Sequence, residues 1–290
     1  MARFIYIADT HLGADPMGYQ MQEGHPEQLP VIVRALQDLI DATGGIDFVL
    51  HGGDMIDAAS EAAISQAAEV FQVSVPTFLC LGNHDLTHER SLEMWLRLAP
   101  GFFPDGQPEY TIAVDSCAVH VAPNHWEAER PYYWGTRQEA HFRPEQIHWL
   151  SRSLAATRES VSFVATHSPG RGLPVEQTGL DEPHHAPPPA FQAELSSLAA
   201  GHPHLACVLG AHSHMNMRVQ DGGVQYVTVS SLSEMPFECK LFEVDAGTVT
   251  LSTHTLAVCL DFAPRYNFDR TYVQGRPCDR AFISRGGVGG

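Results

Sequence analysis

Five short apolar runs in this chain each end abruptly in a group of polar residues. The runs, with the residues that follow them, are "FIYIADTH", "IDFVLHGGD", "TFLCLGNHD", "VSFVATHSP" and "LACVLGAHSH". Each apolar part has four to six residues rich in Val, Ile, Leu and Phe, and a polar, Gly- or Pro-containing turn follows it. This pattern is typical of strands that are buried on both faces of a sheet.

Helical periodicity lies between these runs. Residues 26–45 carry apolar side chains at helical spacing and end in Gly44 and Gly45, which suit a C-cap. Further helices are predicted over residues 60–71, with Ser60 as N-cap, and over residues 143–157. Strands that alternate with helices predict a layered α/β fold.

Two segments in the second half of the chain and one earlier segment are typical of antiparallel strands. They are "YTIAVDSCAVHVAPN", "VQYVTVSS" and "CKLFEVDAGTVTLSTHTLAV", of which the first and third contain a turn. We therefore expect a sandwich of mixed sheets with helices outside. One domain is predicted over residues 1–261, with a long surface loop at 169–190 and a C-terminal extension at 262–290 that contains five arginines.

Composition excludes several classes of protein. The formal charge of −17 and the single lysine, Lys240, argue against binding of extended nucleic acid, which needs clusters of basic residues. A phosphate substrate is still compatible with this charge, because bound metal ions supply local positive charge. The six cysteines form no C-x-x-C pair, and Cys80 and Cys207, which lie in apolar runs, are expected to be reduced and buried. Neither a signal peptide nor a membrane span is recognisable, so no membrane insertion and a cytoplasmic location are expected.

The polar residues at the strand ends form a set of potential metal ligands. In an open α/β sheet, sites form outside the carboxyl ends of the strands, and all of these residues are predicted to lie there. They are Asp9, His11, Asp54, Asp57, Asn83, His84, Asp85, His167, His212 and His214.

This set of donors restricts the choice of metal. Its carboxylates, carboxamide and imidazoles without a thiolate disfavour Cys-rich structural zinc and suit manganese, iron, cobalt, nickel or zinc ions. A set of this size offers too many ligands for one such ion. They suit two ions about 3.5–4 Å apart that share a carboxylate.

Five motifs carry a resemblance to a known family. They are "DTH" at 9–11, "GGDMID" at 52–57, "GNHD" at 82–85, "THSP" at 166–169 and "GAHSH" at 210–214. In this order they resemble the calcineurin-like metallophosphoesterases, and the compact size is similar to the small phosphodiesterase branch that includes the class III cyclic-nucleotide phosphodiesterases. The resemblance implies a four-layer α/β/β/α sandwich. The family usually has Gly where this chain has Ala211, which affects the positioning of His212.

The resemblance also implies a role for each motif residue. His84 would be the catalytic acid and Asp57 would orient it, whereas Asp85 is expected to support the motif. The implied ligands are Asp9, His11 and His214 for the first metal, Asn83, His167 and His212 for the second, and Asp54 as the bridge. The cofactors would be two Mn²⁺, Fe²⁺/Fe³⁺ or Zn²⁺ ions.

A mechanism follows from these implied roles. Two bound metal ions would lower the pKa of a bridging water to about 7 and clamp the phosphoryl oxygens. The resulting hydroxide would attack in line with the leaving alkoxide, to which His84 would give a proton.

Loop residues outside the motifs are candidates for substrate contact. His25, His125 and His184 are singled out, and Trp126 and His185 belong to the same group of candidates. The alternative for each is a solvated loop residue.

The function favoured by the sequence is hydrolysis of a phosphodiester, with a small phosphate ester, a nucleotide among the options, as substrate. A phosphomonoesterase with the same mechanism is the alternative. A DNA-repair nuclease is suggested by "ADTHLG", but the charge, the lack of a nucleic-acid-capping domain and Asp57, where that branch commonly has His, argue against it. A non-catalytic metal-binding scaffold is a further alternative, and a homo-oligomer is compatible with the sequence.

Overall fold

The computed structural model describes residues 1–15 and 21–285, and twelve strands lie within these ranges. The strands are β1 (Ala2–Ile7), β2 (Phe48–His51), β3 (Thr77–Leu79), β4 (Tyr110–Val114), β5 (Cys117–Val121), β6 (Val161–Ala165), β7 (Leu205–Gly210), β8 (Met217–Asp221), β9 (Val224–Thr228), β10 (Glu238–Asp245), β11 (Thr248–Thr255) and β12 (Ala281–Arg285). All five apolar runs that end in polar residues form strands, namely β1, β2, β3, β6 and β7.

Two mixed six-stranded sheets are built from these strands. The first has the order β12-β11-β10-β1-β2-β3, with β1, β2 and β3 parallel to one another. The second has the order β4-β5-β6-β7-β9-β8, in which β5, β6, β7 and β9 are parallel. The segment that contains β9 was expected to be antiparallel, and it pairs that way only with β8. Because β9 is also parallel to β7, its environment is that of a central strand.

Helices flank the two sheets, and the described residues contain seven α-helices. They are α1 (Leu29–Thr43), α2 (Glu61–Val70), α3 (Ser91–Leu98), α4 (Pro144–Ala156), α5 (Val175–Thr178), α6 (Pro189–Gly201) and α7 (Pro277–Arg280). The predicted N-cap of α2 is present, because the Ser60 hydroxyl accepts a hydrogen bond from the Ala63 amide at 3.1 Å. The long loop predicted at 169–190 contains the short α5, and its last two residues are the start of α6.

The layers are held together by apolar side chains on each side of both sheets. Phe4 of β1 packs edge-on against Phe163 of β6, with ring centroids 5.3 Å apart, and so joins the inner faces of the two sheets. The apolar stripe of α1, including Leu36, belongs to the same core. On the outer face of the second sheet, Leu150 of α4 and Leu195 of α6 form a separate cluster. The predicted α/β sandwich of two mixed sheets with flanking helices is confirmed.

The predicted C-terminal extension is part of the fold over its described residues. Strand β12 pairs with β11 and forms the edge of the first sheet. Before it, the Arg276 and Arg280 side chains bind the carboxylates of Asp279 and Glu238. The segment was predicted as a C-terminal extension because it has little apolar periodicity, and ion pairs and strand pairing attach it to the first sheet. Residues 286–290 of that prediction lie outside the described range.

No helix in the described ranges is both long enough and apolar enough to cross a membrane.

Candidate metal centre

The carboxyl ends of five parallel strands meet at one place between the two sheets. Loops after β1, β2 and β3 come from the first sheet, and loops after β6 and β7 come from the second. The Tyr6 hydroxyl in β1 donates a hydrogen bond of 2.9 Å to the carbonyl of Gly210 at the end of β7. This buried bond fixes the distance between the two sheet edges where the predicted site residues lie.

Backbone hydrogen bonds tie the first two loops together. The amide of Asp9 donates to the Gly53 carbonyl at 2.9 Å, and that of His11 to the Asp54 carbonyl at 3.0 Å. The two loops therefore run side by side, so their carboxylates and imidazole are placed by main-chain geometry.

Asp85 joins the third loop to the second. Its fully buried carboxylate accepts hydrogen bonds from the amides of Gly82, Met55 and Ile56 at 2.9, 3.0 and 3.2 Å. Burial raises the pKa of Asp85 to about 7, with the charge of Asp54 acting in the same direction. Asp85 thus supports the loops, as the sequence suggested.

Gly82 makes room for the site at the end of β3. A Cβ at this position would lie 2.2 Å from Oδ1 of Asp54 and 2.8 Å from Cε1 of His167. Any larger residue would therefore displace two of the predicted ligands.

Five of the predicted ligands have a backbone with positive φ, between 44° and 64°. This left-handed conformation is disfavoured for residues with a side chain and is kept only where surrounding structure imposes it. The five are Asp9, His11, Asp54, His212 and His214. Ala211 is not among the positive-φ residues of the described chain, so its methyl group fits without this strain.

Asp9, His11 and His214 form the first group of potential ligands. One ligand atom from each lies within 4.8 Å of the others. Nε2 of His11 and Nε2 of His214 are 3.1 Å apart, and the latter is 3.9 Å from Oδ1 of Asp9. Nδ1 of His214 contacts the buried carboxylate of Glu234 at 2.5 Å.

Asp54, His167 and His212 form the second group, again within 4.8 Å. Nε2 of His167 lies 3.2 Å from Oδ2 of Asp54 and 3.1 Å from Oδ1 of Asn83. Nδ1 of His167 faces the Gly52 carbonyl at 2.8 Å. The carboxamide oxygen of Asn83 therefore lies beside the second group, next to the imidazole of His167.

One oxygen of Asp54 lies between the two groups. Its Oδ2 is 3.8 Å from Nε2 of His11 and 3.2 Å from Nε2 of His167. Its Oδ1 accepts a hydrogen bond of 2.7 Å from the His84 amide, which fixes the carboxylate. A carboxylate in this position is suited to bridging two ions.

The charge balance of the two groups fits metal ions. Asp9 and Asp54 are almost fully buried, and within residues 1–15 and 21–285 their ion-pair partners are histidines, not Lys or Arg. Burial raises the pKa of Asp9 to about 6, although His214 and His167 act in the opposite direction. Buried carboxylates need compensating charge, and the His/Asp donor set is suited to a dinuclear metal site that would provide it.

His84 and Asp57 lie next to the two groups. Nδ1 of His84 is 2.7 Å from the Asp57 carbonyl and 3.3 Å from its Oδ1. Burial disfavours the charged imidazole, but Asp54 and Asp57 outweigh it and raise the pKa of His84 to about 9. The predicted pairing is therefore present, with the main-chain oxygen of Asp57 making the shorter contact.

A cavity of about 460 Å³ opens above these residues. Its floor contains His11, Asp54, Asn83, His84, His212 and His214. Its walls include Met21, Trp126, Trp134, His185, Ala186 and Pro187, with Gln138 and Ser168 as polar neighbours. The ring of Trp134 is 4.9 Å from that of His84, and the ring of Trp126 is 5.1 Å from that of His212.

The three histidines singled out for substrate contact do not line this cavity. His25 packs against Phe237 and Phe262, with ring centroids 5.5 and 5.4 Å away. His125 is buried and faces a separate pocket of about 380 Å³. His184 forms a backbone bridge with Leu173.

The cavity lining therefore includes only part of the group of loop candidates. Of that group, Trp126 and His185 line the cavity. Adjacent loop residues point in different directions, and their order in the sequence does not reveal which one faces the site.

Sequence reasoning missed Glu234, Trp134 and Met21. Glu234 follows β9 in "SSLSEMP" and is far in sequence from every motif, so no pattern connects it with His214. Trp134 lies in the loop between β5 and α4, where a tryptophan has many uses. The one sequence signal that could have drawn attention to Glu234 is an acidic residue within a largely uncharged segment.

The fold and the two ligand groups define a metallophosphoesterase. The chain matches the calcineurin-like phosphoesterase family over residues 2–216, and it belongs to that family. Its members act on phosphate esters, so this chain is a hydrolase of that class.

Solved structures with similar folds include two well-covered examples. A dimetal phosphatase from Danio rerio has a TM-score of 0.67 and 14% identity, over 88% of this chain and 96% of that one. GAP50, the anchor in the inner membrane complex of Plasmodium, has a TM-score of 0.63 and 11% identity, over 88% of this chain and 84% of that one. At these identities the likeness is one of fold. No curated protein sequence matches the chain.

Proposed function

We propose that this protein is a metal-dependent phosphodiesterase. The observation that carries the proposal is the character of the cavity. Its floor consists of metal-ligating and imidazole groups, its walls hold Trp126 and Trp134, and the described residues that line it include no Lys or Arg.

The absence of basic residues from this lining favours a diester over a monoester. A phosphomonoester carries about −1.5 to −2 charges at pH 7, whereas a diester carries one. Sites for highly charged phosphates commonly add Arg or Lys donors to the terminal oxygens. Here the proposed metal ions and the imidazole of His84, whose pKa is raised, are the sources of positive charge, and they suit a monoanion.

The walls are suited to the organic groups of a diester. Trp126 and Trp134 flank His212 and His84 respectively, while Met21 and Pro187 add apolar surface. A volume of about 460 Å³ is in the range of small-molecule sites. A nucleotide diester is one candidate, because a planar base can stack on an indole ring.

The proposed metal ligands are those of the two groups. Asp9, His11 and His214 would hold one ion, while Asn83, His167 and His212 would hold the other, with Asp54 shared between them. The oxygen and imidazole donors suit Mn²⁺, iron or Zn²⁺. When bound, two such ions activate a water molecule and neutralise the charge that develops on the phosphoryl oxygens.

His84 is the proposed proton donor to the leaving group. Its Nδ1 lies 2.7 Å from the Asp57 carbonyl and 3.3 Å from Oδ1 of Asp57, and these contacts fix the ring. The side chain lines the cavity and lies against Trp134, so a leaving group on that wall would be within its reach.

Hydrolysis of two matched chromogenic esters tests the proposal. Protein reconstituted with Mn²⁺ is expected to show a kcat/KM for bis-p-nitrophenyl phosphate at least about 10-fold above that for p-nitrophenyl phosphate, because one substrate charge matches the site. The reverse ratio would identify a phosphomonoesterase.

Two further results would contradict the proposal. Cleavage of single-stranded DNA in preference to both small esters would indicate a nuclease. Bound metal with no hydrolysis of any of the three substrates would indicate a scaffold. A panel of cyclic nucleotides, nucleotide diphosphates and phospholipid headgroup diesters then identifies the substrate class.

A further inference from the structure

We propose that Glu234 is a positioning residue of the metal centre. It orients the imidazole of His214 toward Asp9 and His11, the other two ligands of the first group. The inference concerns the site on which the proposed function rests. It assigns a role to a residue that lies outside the five motifs and outside the cavity lining.

Each of the two carboxylate oxygens of Glu234 contacts a buried hydrogen-bond donor. Oε1 is 2.5 Å from Nδ1 of His214, and Oε2 accepts a hydrogen bond of 2.6 Å from the Gln22 amide. The Glu234 residue is 2% exposed and His214 is 5% exposed. A buried carboxylate is stable in such a place only when donors satisfy it, and here two donors match its two oxygens.

The contact determines which nitrogen of His214 faces the site. Because Nδ1 is directed at Glu234, Nε2 is the nitrogen that lies near His11 and Asp9, at 3.1 and 3.9 Å. A carboxylate behind an imidazole fixes its tautomer and its ring orientation, and it makes the opposite nitrogen a better donor to a metal ion.

Glu234 is itself held in place. The Gln22 side chain donates to the carbonyls of Asn267 and Arg270 at 3.0 and 3.1 Å, and its oxygen accepts from the Asn267 amide at 2.7 Å. The residue that binds Oε2 of Glu234 is therefore fixed by the segment before β12. The orientation of the His214 ring thus depends, through Gln22 and Glu234, on a segment that is distant in sequence.

Isothermal titration calorimetry of the metal-free protein with Mn²⁺ tests the proposed role of Glu234. The wild type is expected to bind two ions. Glu234→Gln offers one good acceptor where Glu offers two and removes the charge, so one ion should bind about 10- to 100-fold more weakly while the other is unchanged. The metal-induced rise in melting temperature should shrink accordingly.

Glu238→Gln is the matched control. Glu238 is also 2% exposed, but it binds Asn216 and Arg280 and does not contact a predicted ligand. This variant is expected to lose stability and to keep the affinity for both ions. Glu234→Asp, which keeps the charge but shortens the reach, serves if Glu234→Gln does not fold, and it should weaken the same ion.

Two results would overturn the role. One is wild-type affinity for both ions in the Glu234 variants, and the other is an equal loss in Glu238→Gln, since that would reflect general loosening. A wild type that binds fewer than two ions would refute the metal centre itself. The wild-type titration is completed first, so the two failures are distinguishable.

Discussion

The two halves of the metal centre are supported in different ways. In the first group, His214 is backed by the carboxylate of Glu234. In the second, His167 is backed by the main-chain carbonyl of Gly52 at 2.8 Å. A carbonyl behind an imidazole sets its orientation with a partial charge, whereas a carboxylate adds a full one. The difference indicates that the first half depends on a side chain that mutation can remove, while the second depends mainly on the path of the backbone.

The two sheets also contribute different chemistry. Loops of the first sheet supply the carboxylates and the carboxamide, namely Asp9, Asp54 and Asn83, with His11 beside them. Loops of the second sheet supply only imidazoles, those of His167, His212 and His214. Each ligand group contains residues from both sheets, so neither half can form unless the two sheets are correctly packed.

The largest expected effect comes from the residue that the halves share. Asp54→Ala removes the oxygen that lies between His11 and His167, so both ions should be lost together. Phosphodiesterase activity should fall roughly 10⁴-fold or more. Metal content measured by mass spectrometry and turnover of bis-p-nitrophenyl phosphate check this. Retention of one tightly bound ion would show that the halves are independent.

A change at His84 should leave both halves intact and slow the reaction. His84→Ala is expected to retain two ions and to lose about 10²–10³-fold in kcat on an alkyl phosphodiester, because a poor leaving group needs the proton. The loss should be smaller for p-nitrophenolate, which leaves without one. Turnover of the alkyl ester at the wild-type rate would exclude His84 as the proton donor.

His120 offers a contrast in the second sheet, because its neighbours are hydroxyls instead of carboxylates. Thr111 and Thr157 contact its ring nitrogens at 2.9 and 3.1 Å. Burial lowers the pKa of His120 to about 4, with His204 and His202 acting in the same direction. The unfolded chain therefore binds a proton at a higher pH than the folded chain does. Stability due to this group is present above about pH 6.5 and is lost as the pH falls toward 4.

A comparison of two proteins at two pH values measures this effect. Between pH 7 and pH 5, wild type should lose about 2 kcal/mol more in the free energy of unfolding than His120→Gln does. Urea denaturation at each pH provides the numbers. An equal loss in both proteins would mean that His120 does not titrate in this range on unfolding.

The smallest expected effect concerns the link between the two sheet edges. Tyr6→Phe removes the hydroxyl that donates to Gly210 and leaves a buried carbonyl without that partner. The free energy of unfolding should fall by about 1 kcal/mol. Because Gly210 lies two residues before His212, the affinity for the second ion should also fall slightly. A fully wild-type metal affinity would show that the strand ends are held by other contacts.

The parts of the molecule that the sequence predicts well are those with a repeating pattern. Apolar runs such as that of β3 identify buried strands, and the polar residues after them, such as Asn83, fall at the carboxyl ends. Because parallel strands bring these ends together, the linear sequence is enough to indicate which residues form the ligand groups. The N-cap of α2 at Ser60 is equally local and is confirmed.

What the sequence could not predict depends on side chains that arrive from outside the pattern. Glu234 and Trp134 reach the site from loops whose course is set by the folded core. His185 faces the cavity while the adjacent His184 does not, and no periodicity applies in that loop. Strand β12 was missed because an edge strand alternates weakly and has Ile283 exposed.

The positive-φ backbone at Asp9, His11, Asp54, His212 and His214 has a consequence for protein engineering. Glycine adopts this conformation without the steric cost that a side chain adds, whereas aspartate and histidine carry that cost. Screens that select only for heat resistance should therefore favour replacement of the very residues that are proposed to bind metal. Selection for thermal tolerance and selection for turnover would then move these five positions in opposite directions.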